Sequence, residues 1–149
     1  MYSLSEKIDY LKACDLFETI PYDEVKIIAF TSSEICCPEG DILFEEGDEA
    51  FDAYVIFEGA VEIFKKLPDG REVILRVIEK NDIFGEYAII SQCPRSASAR
   101  VSKKFSGIRI NRENFLDILR EFPEVSIGIM DVLVKRLVKS EKKLLELMK

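Results

Sequence analysis

Apolar positions recur every three to four residues at both ends of this chain, and its middle holds short strand-like runs separated by turn signals, so helices are expected to flank a body of strands. Ser3 followed by Glu6 makes a capping box, which opens an amphipathic helix with Leu4, Ile8 and Leu11 inward. Tyr22 to Phe30, after Pro21, predicts a second short helix that buries Val25, Ile28 and Ala29. From Glu34 onward the runs Ile42 to Glu45, Ala53 to Glu58, Ala60 to Lys66, Glu72 to Ile78, Ala97 to Lys103 and Phe105 to Ile110 read as short strands between turn signals. Cys36-Cys37 falls on a further strand, as reduced and partly buried thiols. Pro68-Asp69-Gly70 predicts a hairpin with Asp69 and Gly70 both in left-handed geometry. Evenly spaced short strands favour a sandwich or barrel over alternating strand and helix.

Asn111 is a helix cap, followed by a helix through Arg120 with Phe115, Ile118 and Leu119 on its apolar side, ending near Pro123. The last helix runs from about Glu124 to the C-terminus and carries two apolar rows. Met130, Leu133, Leu137, Ser140, Leu144 and Leu147 form a heptad seam with a polar interruption at Ser140; Ile127, Val134, Val138 and Leu145 form the other. Two rows suggest two partners, one the barrel and the other a second subunit. The chain thus reads as one mainly β domain over 1–149. Helices occupy 1–33, a barrel 34–110 and further helices 111–149.

Composition narrows the chemistry. Hydrophobic residues make up 48% and charged residues 33%, the balance of a folded globular chain. Net charge is −7, and Glu34 through Glu86 holds 15 acids against 5 bases. Such a surface repels nucleic acid and anionic lipid, whose binding rests on neutralising phosphates. With no histidine, His-dependent nucleophilic catalysis and His-ligated metals are excluded. Cys14, Cys36, Cys37 and Cys93 form no C-x-x-C pair, so no metal site is expected; Cys93 reads as a small loop residue near Arg95. The longest apolar run, Ala53 to Phe57, is too short to span a bilayer, and the polar first turns do not read as a signal peptide. A cytoplasmic protein is expected.

The densest chemistry lies in Phe84 to Ala97, reading Phe-Gly-Glu-Tyr-Ala-Ile-Ile-Ser-Gln-Cys-Pro-Arg-Ser-Ala. Gly85 allows main-chain N–H groups to approach an anion closely, and the short helix expected over Tyr87 to Ile90 offers unsatisfied N–H groups at its start. Arg95 adds a planar, permanently charged fork suited to phosphate oxygens. Glu86 would repel a phosphate and is better explained as an acceptor for a ribose hydroxyl. Ser96 can donate a further hydrogen bond, and the small Ala97 leaves its own N–H accessible.

This stretch resembles the phosphate-binding cassette of cyclic nucleotide-binding domains, found in catabolite activators, cyclic-nucleotide-dependent kinases and cyclic-nucleotide-gated channels. Glu86 and Arg95 keep the family's nine-residue spacing, and Pro38 to Asp41, Glu46 to Asp48 and Tyr54 to Gly59 match its turns and core strands. Asn81 stands where the family usually has Gly, and Asn tolerates positive φ best after Gly. The resemblance implies a double-stranded β-helix (jelly-roll) barrel with a long C-terminal helix, and a non-catalytic sensor of cAMP or cGMP. It places Glu86 at the ribose 2′-hydroxyl, Arg95 and Ser96 at the cyclic phosphate, and the N–H groups of Gly85, Glu86 and Ala97 around it. Tyr87 and Ala88 complete the cassette contacts, with Arg76 and Ile78 on the strand beside the base. A similar arginine occurs in cGMP-selective kinase domains, where it can donate to guanine N7 and O6, whereas cAMP is the commoner ligand of stand-alone relatives. The resemblance also implies that Arg112 to Leu137 shifts on binding, with Val132 or Arg136 swinging over the base. The chain is expected to be a free-standing regulatory subunit or a piece of a longer protein, acting as a homodimer through its last helix or on a regulated partner. The alternative is a barrel without ligand that serves only as a dimerisation or interaction module.

Overall fold

In a computed structural model describing residues 1–149, two helices precede a six-stranded antiparallel sheet and two follow it. Helix α1 (Leu4–Lys12) has the expected capping box: the Glu6 N–H donates to Ser3 Oγ at 3.1 Å and the Ser3 N–H to Glu6 Oε1 at 3.0 Å. Helix α2 (Tyr22–Thr31) buries Val25, Ile28 and Ala29. Asn111 caps α4 (Arg112–Glu121), and Pro123 occupies the first turn of α5 (Pro123–Leu147), a position where its missing N–H costs nothing.

The strands are β1 (Ser33–Cys37), β2 (Ile42–Phe44), β3 (Asp52–Lys66), β4 (Glu72–Ile78), β5 (Ile83–Phe84) and β6 (Ser98–Asn111). The four runs read as Ala53 to Glu58, Ala60 to Lys66, Ala97 to Lys103 and Phe105 to Ile110 are in fact two long strands. β3 and β6 pair from Asp52↔Asn111 to Phe64↔Ser98, with register shifts between Ile56 and Val61. The chain bends at these irregularities instead of turning back. Gly59, at φ +96°, sits at the bend, and a Cβ there would stand 2.1 Å from the Lys104 carbonyl oxygen. The short β5 was not anticipated; it follows Asn81, which adopts φ +69° as the turn requires.

The hairpin between β3 and β4 differs in one detail. Gly70 is at φ +91°, but Asp69 has negative φ; the Gly70 N–H donates to Leu67 O and the Leu67 N–H to Arg71 O. A three-residue loop closed by a left-handed glycine replaces the expected pair. Cys36 is exposed and Cys37 half-buried, so the two thiols do not share one environment.

The apolar run at the start of β3 reflects burial on both faces. Ala53, Val55 and Phe57 pack in the larger core with the helices, whereas Tyr54 and Ile56 enter a second core inside the rolled sheet with Ile63, Phe84, Ala99 and Phe105. α5 docks through a third stripe, Val125 and Ile129 with Val132 and Leu133 partly buried; Leu133 alone belongs to either predicted row. Met130, Leu137 and Leu144 are exposed, as are Ile127, Val134, Val138 and Leu145, so neither row is the docking row. No helix is long and apolar enough to cross a membrane.

Replacing Gly59 with Ala strains a left-handed residue and drives its Cβ into backbone. The substitution is expected to lower unfolding free energy by at least about 3 kcal/mol in urea denaturation. A loss under about 1 kcal/mol would mean that the bend is not tight.

Candidate functional site

Strand β5 delivers the chain to Gly85, whose φ of +80° turns it directly into the short helix α3 (Glu86–Ile90). A Cβ at Gly85 would lie 2.9 Å from Arg95 Nη1, so glycine lets the guanidinium rest against the main chain. Arg95 is only 5% exposed. Its Nη1 donates to Gly85 O at 2.7 Å, its Nη2 to Asp52 O at 2.6 Å, and its Cζ stands 4.1 Å from the Phe44 ring centroid. The backbone is held as well. The Arg95 N–H donates to Asp48 O and the Gly47 N–H to Arg95 O, both at 2.8 Å. Burial pushes the guanidinium pKa down, while Tyr54, Asp52, Glu86 and Asp48 pull it back up.

Arg95 Nε is the one buried side-chain nitrogen or oxygen without a hydrogen-bond partner in the protein. The main-chain N–H groups of Gly85, Ser96 and Ala97 also donate to no backbone carbonyl. A buried donor left unmatched costs about 1–3 kcal/mol, so Arg95 Nε calls for an acceptor that the protein itself does not supply.

Glu86 is 1% exposed at the start of α3. Its Oε1 accepts from Arg136 Nη1 at 2.7 Å, and Arg136 Nη2 donates to Ile83 O at 2.8 Å, with Asp82 at 3.8 Å. The carboxylate thus ties the cassette to α5.

A cavity of about 220 Å³ opens between these elements. The structure brings Gly85, Glu86, Tyr87, Ala88, Arg95, Ser96, Ala97 and Arg76 onto its wall. Ile78 is the exception: it ends β4 opposite Val61 and packs into the inner core rather than onto the cavity wall. Tyr87 and Ser96 are exposed, while Ala88 and Ala97 are buried. Arg76 keeps access to solvent; desolvation by the surrounding protein and the neighbouring Arg136 lower its pKa, and Glu86 and Asp82 raise it. Cys93 is half-buried against the helical core and does not line this cavity. Phe44, Ile63 and Phe84 on the sheet side, and Leu133, Leu137 and Ser140 on α5, complete the wall. Sequence spacing marked none of these as ligand-facing, although the polar break that Ser140 makes in an apolar row was a signal. The cavity wall thus brings together a guanidinium with an orphaned donor, main-chain amides that donate to no carbonyl and a buried carboxylate.

The family model described as Cyclic nucleotide-binding domain matches residues 34–122. The CRP-like cAMP-activated global transcriptional regulator of Mycobacterium tuberculosis is 27% identical over 139 residues, covering 93% of this chain and 62% of the regulator. The cAMP-dependent protein kinase regulatory subunit of Blastocladiella emersonii is 29% identical over 105 residues, 70% of this chain and 26% of the subunit. Among solved structures, the Thermus thermophilus catabolite activator protein superposes with a TM-score of 0.76 at 26% identity, over 87% of this chain and 61% of that one. The jelly-roll architecture with flanking helices and a long C-terminal helix is therefore the fold of this chain, which spans less than two thirds of these relatives.

The Glu86–Arg136 pair is closed from solvent on the carboxylate side, so losing one partner strands a charge. Arg136→Ala is expected to destabilise the protein by roughly 2–4 kcal/mol, and Glu86→Gln with Arg136→Ala by less than the sum of the single losses. Strict additivity in this double-mutant cycle of urea denaturation would show that the pair is not coupled.

Proposed function

This chain belongs to the cyclic nucleotide-binding domain family, and we propose that it is a non-catalytic cyclic nucleotide sensor whose barrel, 34–110, binds the ligand and whose helices, 111–149, report it. The observation that carries this reading is the orphaned Arg95 Nε beside the free amides of Gly85, Ser96 and Ala97. A cyclic phosphate carries one negative charge and two exocyclic oxygens, which suits one cationic N–H with several neutral ones. Glu86, whose Oε1 already accepts from Arg136, accepts the ribose 2′-hydroxyl as well. The base then faces Arg76 on the sheet side and Leu133, Leu137 and Ser140 on α5.

Two bases fit this wall differently. A guanidinium at Arg76 can donate to both N7 and O6 of guanine, whereas adenine presents a donor at the second position. The regulator and the kinase subunit are both named for cAMP, which makes cAMP the first candidate ligand.

Coupling runs through α5, because Arg136 joins Glu86 and the carbonyl of Ile83 to this helix. A ribose hydroxyl that shares Glu86 with Arg136 gives the ligand unequal contacts in two positions of α5, the condition for shifting a population. The exposed heptad row Met130, Leu137 and Leu144 suits a second copy of the chain, so a homodimer through α5 is the form proposed to transmit the change.

Calorimetric titration with cAMP and cGMP tests the reading. Wild type should bind, and Arg95→Ala should lose on the order of 2–5 kcal/mol; equal heats for both proteins would leave the barrel as an interaction module only. Arg76→Ala should weaken cGMP more than cAMP. Amide exchange between Arg112 and Leu137 should change at saturation, and unchanged protection would remove the proposed coupling.

A further inference from the structure

Strand β4 ends the sheet: it pairs with β3 along one edge and with no strand along the other. Six of its seven residues are exposed, with Val73, Ile74, Leu75 and Val77 at 41–50%. Folded proteins usually blunt such an edge with charge, proline or a bulge; β4 has Arg76 and a register irregularity at Leu75, yet it keeps four exposed apolar side chains beside its unpaired N–H and C=O groups.

A groove of about 650 Å³ runs between β4 and α5. Arg136, Lys139 and Lys143 line it from the helix and Arg76 and Lys80 from the sheet side; Arg136 and Lys80 already pair with Glu86 and Glu58, which leaves Arg76, Lys139 and Lys143 against Glu79 and Asp82. This local excess of positive charge stands out on a chain of net charge −7. Along α5 the bases continue the face that carries Val125, Ile129 and Val132, so the domain-facing stripe turns from apolar to cationic as it passes the sheet. Met130, Leu137 and Leu144 lie on another side of the helix, and of their seam only Ser140 borders the groove.

We propose that this groove docks an acidic, extended segment of another protein, which adds a strand to the free edge of β4 and sets its carboxylates against Lys139 and Lys143. The free edge calls for an extended main chain, and the bases call for acidic side chains. Pairing β4 with β4 of a second copy would bring two cationic grooves together, an arrangement opposed by like charge. A nucleic acid would meet the surrounding acids of 34–86. The inference does not depend on the nucleotide reading.

The probe is a short fluorescein-labelled peptide alternating Glu with Val, followed by fluorescence anisotropy on the full chain; a control carries Lys in place of Glu. The acidic peptide should bind saturably, more weakly as salt rises, and the control should not bind. Lys139→Glu with Lys143→Glu, both solvent-facing, should weaken binding by roughly tenfold or more while leaving the thermal melt unchanged. Amide exchange from Val73 to Val77 should slow when the acidic peptide binds. Absence of saturable binding, binding that survives the charge reversal, or binding that leaves β4 exchange untouched would overturn the proposal. So would concentration-dependent protection of β4 without peptide, which would make a second copy the occupant.

Discussion

A guanidinium almost closed off from water must find hydrogen-bond acceptors, because stripping an ion of its hydration costs several kcal/mol even after relaxation. Arg95 meets that demand with main-chain carbonyls from Gly85 and Asp52 and with the face of Phe44. Asp48 and Gly47 fix its backbone from the β2–β3 loop. Segments far apart in sequence therefore converge on one side chain, which makes Arg95 a cross-link of the fold. Gly85 follows from the same constraint, since a side chain there would collide with the guanidinium. What these contacts leave over is a buried Nε without a partner, on a residue that lines the cavity.

Helix α5 links this centre to the rest of the molecule by presenting different stripes to different neighbours. Val125 and Ile129 anchor it to the helical core, Arg136 reaches Glu86 in the cassette, and its outer apolar rows are open. Arg136 sits where the anchoring stripe gives way to exposed helix, so its bond to Glu86 ties the short helix α3 to the segment of α5 least restrained by packing.

The cassette was legible in the sequence because its chemistry is local: glycine, carboxylate, guanidinium and small residues fall within one short stretch at fixed spacing. The capping box at Ser3 and Glu6 and the positive φ at Asn81 were legible for the same reason. Asp52 and Arg136 were harder. Asp52 contributes a carbonyl, which residue type does not announce, and it lies 43 positions from Arg95. Arg136 meets Glu86 across 50 positions, through packing that no local pattern encodes. The long strands were misdivided because Gly59 marks a bend within a continuing ladder, a role that resembles a turn in one dimension. The rows of α5 misled because its docking stripe mixes apolar residues with arginine, while the purely apolar rows face outward.

The central claim is that Arg95 Nε is the donor reserved for an anionic ligand. Nitrogen-15 NMR of the arginine Nε–H groups, recorded while cAMP is added, addresses that atom directly. The account predicts a shifted Arg95 Nε–H resonance whose exchange with water slows as the site fills. If saturating ligand altered other resonances of the protein while the Arg95 Nε–H signal stayed in place, the ligand would be bound elsewhere and the account would be contradicted.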